Sequence, residues 1–590
     1  MKNIFLTFLA LLFFTSVRSQ DRSIIAWFNP ANQEFNVIDN QGWPEDNLSF
    51  YDRLPEKAKG TVREAVWNLS RHSAGLKIRF RSNADRIIVR YQVDGSREMP
   101  HMPATGVSGL DLYAKNSDGE WLWNRGRYSF GDTVRYDFSG INPKDAYHDY
   151  GREYQLYLPL YNSVQWLEIG VSGDSNVEFL PARPEKPIVM YGTSIAHGAC
   201  ASRPGMAWTS ILDRKMDQPL INLAFSGNGR LEEQVIDLIA EIDAKIYILD
   251  CLPNLTPNEN RTLEDVYELI ISSVNQLRSK RPETPIVLVE HAGYSDASLN
   301  LHRQEIVISL NSTMKKAFAD LKAAGIKNIF TLTKEELGLG YEDFVDGTHP
   351  NDLGMMEYAN GYEIALREIL NEPHGTVSTT IPVTQMREPY NYDWEGRHRK
   401  LLELNKSNPP DICFFGNSIT HSWGGEPEGP RREGVESWDK TFEGVKVRNF
   451  GYGWDRVENV LWRVYHGELD GFDTKQIVMK IGTNNLHLNT DEEIIDGLEL
   501  LIKAMKNRQP GAEILIVGIL PRREQEDRVF GLNLKIAQLT GKLNVNYVDI
   551  GKSMVLKDGK IDESLFSDGL HPNEKGYNLI GPELRKYLVR

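Results

Sequence analysis

One set of residues occurs twice in this chain, in the same order and at nearly the same spacing. Gly192-Thr-Ser194-Ile-Ala-His197 answers to Gly416-Asn-Ser418-Ile-Thr-His421. Asn222-Leu-Ala-Phe-Ser-Gly227 answers to Asn449-Phe-Gly-Tyr-Gly-Trp454, and Asp346-Gly-Thr-His349-Pro to Asp568-Gly-Leu-His571-Pro. Ser194 and His349 are 155 residues apart, Ser418 and His571 153. Any one of these short motifs is weak evidence. Ordered landmarks at near-equal spacing point to a duplicated folding unit.

The hydrophobic pattern supplies the rest of the architecture. In residues 20–185 apolar and polar residues alternate with a period of two. Leu76, Ile78 and Phe80 alternate with Lys77, Arg79 and Arg81, and Ile87, Val89, Tyr91 and Val93 follow after a turn. This predicts a β-sandwich. From 186 short apolar runs such as Pro187–Tyr191, Lys245–Cys251 and Pro285–His291 alternate with helical stretches such as Leu231–Ile242 and Leu299–Ala324. That alternation predicts a parallel sheet covered on both faces. Residues 373–395 have no period and read as a linker, after which the α/β pattern resumes over 396–590. The expected order is therefore a β-sandwich (20–185), an α/β/α unit (186–372), a linker and a second α/β/α unit (396–590).

Residues 1–19 read as a cleavable export signal, with Lys2 before an apolar stretch from Ile4 to Val17 that is too short to span a bilayer comfortably. No later segment is apolar enough to span. The expected location is a periplasm or the cell exterior. A formal charge of −15 gives no counterion-release drive toward nucleic acid, and an anionic membrane surface is an equally poor partner. Three cysteines, Cys200, Cys251 and Cys413, make no disulfide framework. Cys200 and Cys251 fall in one unit, and buried free thiols are expected over a bridge. No His/Cys/Asp/Glu set has metal-ligand spacing in sequence, and no Gly-rich loop fits a dinucleotide or phosphate. Neither a metal nor a cofactor is expected.

Each unit holds the parts of a nucleophilic acyl transfer. A Ser two residues after a Gly, just past a buried strand, lies at the C-terminal edge of the sheet, where α/β ligands bind. Serine needs a base, which His349 or His571 supplies. Asp346 or Asp568, three residues earlier, can fix the imidazole tautomer. His197 and His421 read as loop histidines that shape the pocket.

At these residues the chain resembles the SGNH/GDSL hydrolase superfamily, over nearly all of both α/β segments. The resemblance implies flavodoxin-like sheets and two Ser-His-Asp triads, Ser194/His349/Asp346 and Ser418/His571/Asp568. It also implies oxyanion donors from the Ser amide, the second-block amide (Gly227, Trp454) and a third-block Asn (Asn254, Asn484). The second unit is similar to the platelet-activating-factor acetylhydrolase-like branch through Asn449-Phe-Gly, Ile481-Gly-Thr-Asn484-Asn and Ser567-Asp-Gly-Leu-His571-Pro. It departs from the family at Trp454, where a Gly is usual. The first unit is similar to another GDSL-like branch and departs at Asp250-Cys-Leu-Pro-Asn254, where Gly-x-Asn is usual. Gly109-Leu-Asp-Leu-Tyr113 resembles the β-domain named for Gly-x-Asp-Leu-Tyr that precedes such esterases.

These resemblances imply a short-chain esterase, with acetylated carbohydrate or another small ester as the expected substrate. A lipid esterase or lysophospholipase is the alternative within the same chemistry. In another class, one unit or the β-domain is a glycan-binding module. Trp121, Trp123 and Trp166 are its candidate platforms, although core packing is the preferred role for them.

Overall fold

The computed structural model describes residues 25–142, 151–388 and 390–589; the export segment expected at 1–19 lies outside them. Among the described residues no helix is long and apolar enough to cross a membrane.

The N-terminal region is two antiparallel sheets packed face to face. Its strands are β1 Ile25–Phe28, β2 Ile38–Asp39, β3 Lys77–Ser82, β4 Arg86–Val93, β5 Asp111–Lys115, β6 Trp121–Asn124, β7 Arg127–Phe130, β8 Val134–Ser139, β9 Arg152–Tyr157, β10 Val164–Ser172 and β11 Val177–Phe179. One sheet runs β1-β10-β4-β8-β7 and the other β11-β3-β9-β5-β6, with β2 beside β3. The alternating apolar residues Ile78, Phe80, Ile87, Val89 and Tyr91 fill the space between them. The region is not purely β. A helix spans Glu64–Ser70, and Trp43, Leu54, Val66 and Trp67 pack into a core of the first α/β unit.

The first α/β unit carries β12 Ile188–Gly192, β13 Leu220–Ala224, β14 Ile246–Asp250, β15 Ile286–Val289 and β16 Ile329–Leu332. The second carries β17 Ile412–Gly416, β18 Val447–Gly451, β19 Gln476–Lys480, β20 Glu513–Val517 and β21 Asn546–Val548. The orders are β13-β12-β14-β15-β16 and β18-β17-β19-β20-β21, parallel throughout. Both follow the flavodoxin-like winding, whose ligand site lies at the carboxyl ends of the strands. Burial on both faces explains the unbroken apolar runs. In β12, Val189 and Tyr191 enter one core and Ile188 and Met190 the other.

The charged face of β3 is not solvated. Lys77 and Arg79 are each 1% exposed. Lys77 Nζ pairs with Asp213 of the first unit at 2.7 Å. Arg79 Nη2 pairs with Glu153 at 2.7 Å and with Glu395, where the 373–395 interval runs into the second unit, at 2.6 Å. The two α/β units also meet directly. Asp217 accepts Trp462 Nε1 at 2.8 Å, Lys245 Nζ donates to the Tyr465 carbonyl at 2.8 Å, and Glu372 pairs with Arg508. Asp217 also takes Arg183 Nη1 of the β-region at 2.8 Å. Charges out of water persist only when paired in this way.

The interval 373–395 has one 3-10 turn, Ser378–Thr380, and the start of the helix Trp394–Ser407. It is packed rather than loose. Thr379, Thr384, Gln385 and Arg387 are buried, and Gln385 Nε2 donates to the Gly453 carbonyl at 2.9 Å. Cys200, Cys251 and Cys413 are free and buried. Trp121, Trp123 and Trp166 lie outside the core, which overturns the core-packing expectation for them. Trp123 is 48% exposed on the edge strand β6, where sheet packing ends, and Trp166 Nε1 reaches out to Gln92.

Candidate active sites

Each strand-to-helix turn is set by its own residues. Ser194 opens the one-turn helix Ser194–His197 directly after β12, and Thr193 caps it by accepting from the Ile195 N–H. Ser418 opens Ser418–His421 after β17, and Asn417 accepts from the Ile419 N–H at 3.0 Å. As first helical residues, both serines keep an N–H with no partner inside their helix.

The Asp-Gly-x-His-Pro loops are built alike. Gly347 and Gly569 have φ of +82° and +81°, a conformation that side chains resist. The Val345 N–H donates to the His349 carbonyl at 2.9 Å, and the Ser567 N–H to the His571 carbonyl at 2.8 Å. Asp346 Oδ1 accepts the Thr348 and His349 N–H groups, and Asp568 Oδ1 those of Leu570 and His571. The other carboxylate oxygen of each Asp lies 2.7 Å from its His Nδ1. The far ring nitrogen, Nε2, lies 2.8 Å from Ser194 Oγ in the first unit and 2.9 Å from Ser418 Oγ in the second. Burial would raise the two carboxyls, but hydrogen bonds from His349 and His571 outweigh it and hold both below their ordinary value. An ionised Asp at Nδ1 favours the tautomer whose Nε2 accepts a proton.

The second-block residues share a backbone shape. Gly227 has φ +69° and Trp454 φ +61°. The Asn254 amide lies 3.1 Å from the Asn228 and Gly229 N–H groups, which assign its oxygen to that side and its Nδ2 to the other. Asn484 gives one N–H to the Asp455 carbonyl at 3.0 Å and lines the same cleft as Ser418 and His571. That cleft encloses about 420 Å³, and Trp454, Arg431, Arg522, His487 and Glu388 also line it.

His197 and His421 close short helices and are buried, so they are not loop residues. His197 Nε2 bonds the Leu160 carbonyl at 2.8 Å and stacks on Tyr161, with ring centroids 4.3 Å apart. His421 Nδ1 accepts the Gly453 N–H at 3.1 Å, which braces the second-block turn. Burial, aided by nearby arginines, keeps both well below the ordinary histidine value.

Three further residues stand beside these sites, two of them from distant parts of the chain. His101, in the β-region, stacks on His349 with centroids 6.1 Å apart. Glu388 enters the second cleft from the 373–395 segment. Cys200 sits beside the first dyad, with ligand atoms of Cys200, Asp346 and His349 all within 4.8 Å of one another. The fold here joins residues that sequence spacing keeps apart. Burial, with Asp346 adding to it, pushes the Cys200 thiol up to about 12.

The Gly109-Leu-Asp-Leu-Tyr113 motif ties the β-region to the loop after Cys200. Asp111 Oδ2 accepts the Gly205 N–H at 2.7 Å and Arg203 Nη1 at 2.8 Å, and the Tyr113 hydroxyl accepts Arg203 Nη1 at 2.9 Å. A Cβ at Gly109 would lie 2.2 Å from the Thr105 carbonyl, so glycine is required there.

Models of the GDSL-like Lipase/Acylhydrolase family match residues 185–367 and, separately, 414–579. A model described as the N-terminus of Esterase_SGNH_hydro-type matches 25–177. Platelet-activating factor acetylhydrolase IB subunit alpha2 of Rattus norvegicus is 34% identical over 202 residues, 33% of this chain and 84% of that protein. The Homo sapiens protein of the same name is 33% identical over the same shares. A putative GDSL-like lipase from Bacteroides ovatus is similar in structure, with 31% identity and a TM-score of 0.54, over 59% of this chain and 98% of that one. Two copies of the serine-turn and Asp-Gly-x-His framework behind a Gly-x-Asp-Leu-Tyr domain place this chain in the GDSL-like lipase/acylhydrolase family of ester hydrolases.

Proposed function

We propose that the protein is an exported tandem esterase in which both triads remove short acyl groups, acetyl above all, from carbohydrate. The observation that carries this reading is the Ser Oγ–His Nε2–His Nδ1–Asp alignment, present in both units at 2.7–2.9 Å. Ser194 or Ser418 attacks the ester carbonyl while His349 or His571 takes the hydroxyl proton. The same imidazolium then protonates the departing alcohol. Water, deprotonated by that His, splits the acyl-enzyme, releasing the carboxylic acid and restoring the serine. In the tetrahedral states the oxyanion is held by the Ser amide with Gly227 N and Asn254 in the first unit, and with Trp454 N and Asn484 in the second. Losing one such donor costs about 100- to 1000-fold in rate.

The carbohydrate reading rests on polar surroundings. Arg431, Arg522, His487 and Glu388 line the second cleft, which suits a hydroxyl-rich alcohol better than a lipid chain. Trp123 and Tyr128 line a further cleft of about 540 Å³ on the β-region, with Asn124, Arg125 and Arg127. The acetyl reading draws on relatives named acetylhydrolases. A lipid alcohol is the second reading for the first unit, favoured by the exposed apolar residues Tyr341, Val345 and Leu353, which flank Asp346 and His349 in the chain.

The test is an acyl-chain series on aryl esters and acetylated oligosaccharides, run on the wild type, Ser194→Ala, Ser418→Ala and the double variant. Each single variant should lose one activity and keep the other, and only the double variant should be dead on every ester. Acetyl esters should be cleaved far faster than octanoyl. A long apolar groove would instead gain about 0.8 kcal/mol per methylene, and rates rising with chain length would transfer the proposal to lipids.

A further inference from the structure

The two units differ at one position that touches the dyad. Cys200 follows Ser194 by six residues, and its counterpart after Ser418 is Gly424. Cys200 holds φ +69°, a conformation natural to glycine, and its side chain points at the Asp346–His349 pair. Thiol, imidazole and carboxylate are the three side-chain ligand types that bind zinc. Bonds of about 2.0–2.3 Å let one ion span donors up to about 4.6 Å apart. The donors here lie within 4.8 Å of one another, so small side-chain rotations bring them onto a common centre. The dyad is open to solvent, with the His349 side chain 20% and the Asp346 side chain 38% exposed, so an ion has an approach.

We infer that Cys200, Asp346 and His349 form an inhibitory site for Zn2+ in the first unit, with no equivalent in the second. The inference rests on the esterase reading above, because it assigns a control to that same site. On binding, the Cys200 thiol loses one proton to solvent and its sulfur bonds the ion, and Asp346 contributes a carboxylate oxygen. His349 contributes either ring nitrogen. If Nδ1 binds, its proton moves to Nε2, which then faces Ser194 as a donor and cannot take the serine proton. If Nε2 binds, its lone pair is occupied. Either way Ser194 has no base, and water fills the remaining coordination position. The thiol selects for soft ions, so Mg2+ has no such effect. The second unit keeps Asp568 and His571 but has no third donor at Gly424.

Working in the full chain isolates each unit: Ser418→Ala leaves the first site in charge of turnover, and Ser194→Ala the second. Zn2+ should inhibit the Ser418→Ala protein reversibly, with recovery on chelation, and leave the Ser194→Ala protein active at the same concentration. Cys200→Gly, added to Ser418→Ala, suits the left-handed backbone and should fold. It should raise the inhibitory Zn2+ concentration by at least about tenfold, the lower end of the loss seen when even outer-shell partners are removed. Equilibrium dialysis supplies a readout that does not depend on turnover. One Zn2+ should be retained by the Ser418→Ala chain and released by the Cys200→Gly version. Co2+ in place of Zn2+ should give a thiolate charge-transfer band only when Cys200 is present. Equal Zn2+ inhibition of the two units, or unchanged inhibition and retention in Cys200→Gly, overturns the site. If Ser418→Ala hydrolyses no ester, the esterase reading fails for that unit, and dialysis and the cobalt band still decide whether the metal site exists.

Discussion

Trp454 holds φ +61° where the first unit has Gly227 at φ +69°. A side chain in this conformation costs about 1–2 kcal/mol, so the indole stands in the second cleft at the expense of local backbone ease. It lines the cleft with Ser418 and Asn484, so on the proposed esterase reading it bounds the room for the acyl chain. Trp454→Gly keeps the amide donor and removes the wall. The ratio of kcat/KM for acetyl over octanoyl esters should therefore fall in the Ser194→Ala background. An unchanged ratio would place the indole outside the acyl path. That Ser, His and Asp meet in each unit was legible in the sequence because each motif carries its own local geometry: a capped serine turn, a left-handed Gly347 or Gly569, and an Asp three residues before its His. His101 and Glu388 were not legible as neighbours of those sites, nor was Cys200 as a neighbour of Asp346 and His349. Each reaches its site through tertiary packing that no spacing rule encodes.

At the scale of elements, β5 does more than complete a sheet. Asp111 is buried and holds both the Gly205 N–H and the Arg203 guanidinium, so the strand fixes the segment that follows Cys200. Asp111→Ala leaves the buried Gly205 N–H without its acceptor and takes the carboxylate from Arg203, which keeps only the Tyr113 hydroxyl of this pair. Stability should fall by about 1–3 kcal/mol, read as a lower denaturation midpoint. Ser194-dependent turnover should fall with it and Ser418-dependent turnover much less, measured in the two Ser→Ala backgrounds. Equal losses in both units would mean that the motif supports the whole fold and not this loop. The strands of both parallel sheets could be read from apolar runs, because burial on both faces leaves no alternation to misread. The 373–395 segment was harder to read. Its lack of period matches its lack of regular structure, but its burial depends on partners such as Gly453 and Glu493, far along the chain.

Across the whole molecule, the three regions meet on buried charge. Burial alone would raise Glu185 and Asp217, but Arg183 outweighs it and lowers both to about 2. Unfolded, each binds its proton near the ordinary carboxylate value, so between that value and about 2 the unfolded chain holds more protons than the folded one. Their contribution is complete above about pH 5 and is lost as the pH falls toward 2. Thermal midpoints taken from about pH 6 down to about pH 3 should drop along this limb. Arg183→Met, which leaves two buried carboxylates without their cation, should lower the midpoint at pH 6 and flatten the acid limb. A parallel limb would assign the acid sensitivity to other carboxylates.

That charged seam also bears on how such a chain descends. A duplicated gene segment usually remains dispensable, since losing one copy leaves the other intact. Here Asp213 relies on Lys77, Glu395 on Arg79, and Glu372 on Arg508, so each region completes charges that belong to another. Deleting either copy would strand ions in a dry interior, whereas Trp454 and Cys200 each bear on only one cleft. Inheritance can thus tinker freely with the two mouths while the pair itself has become indivisible.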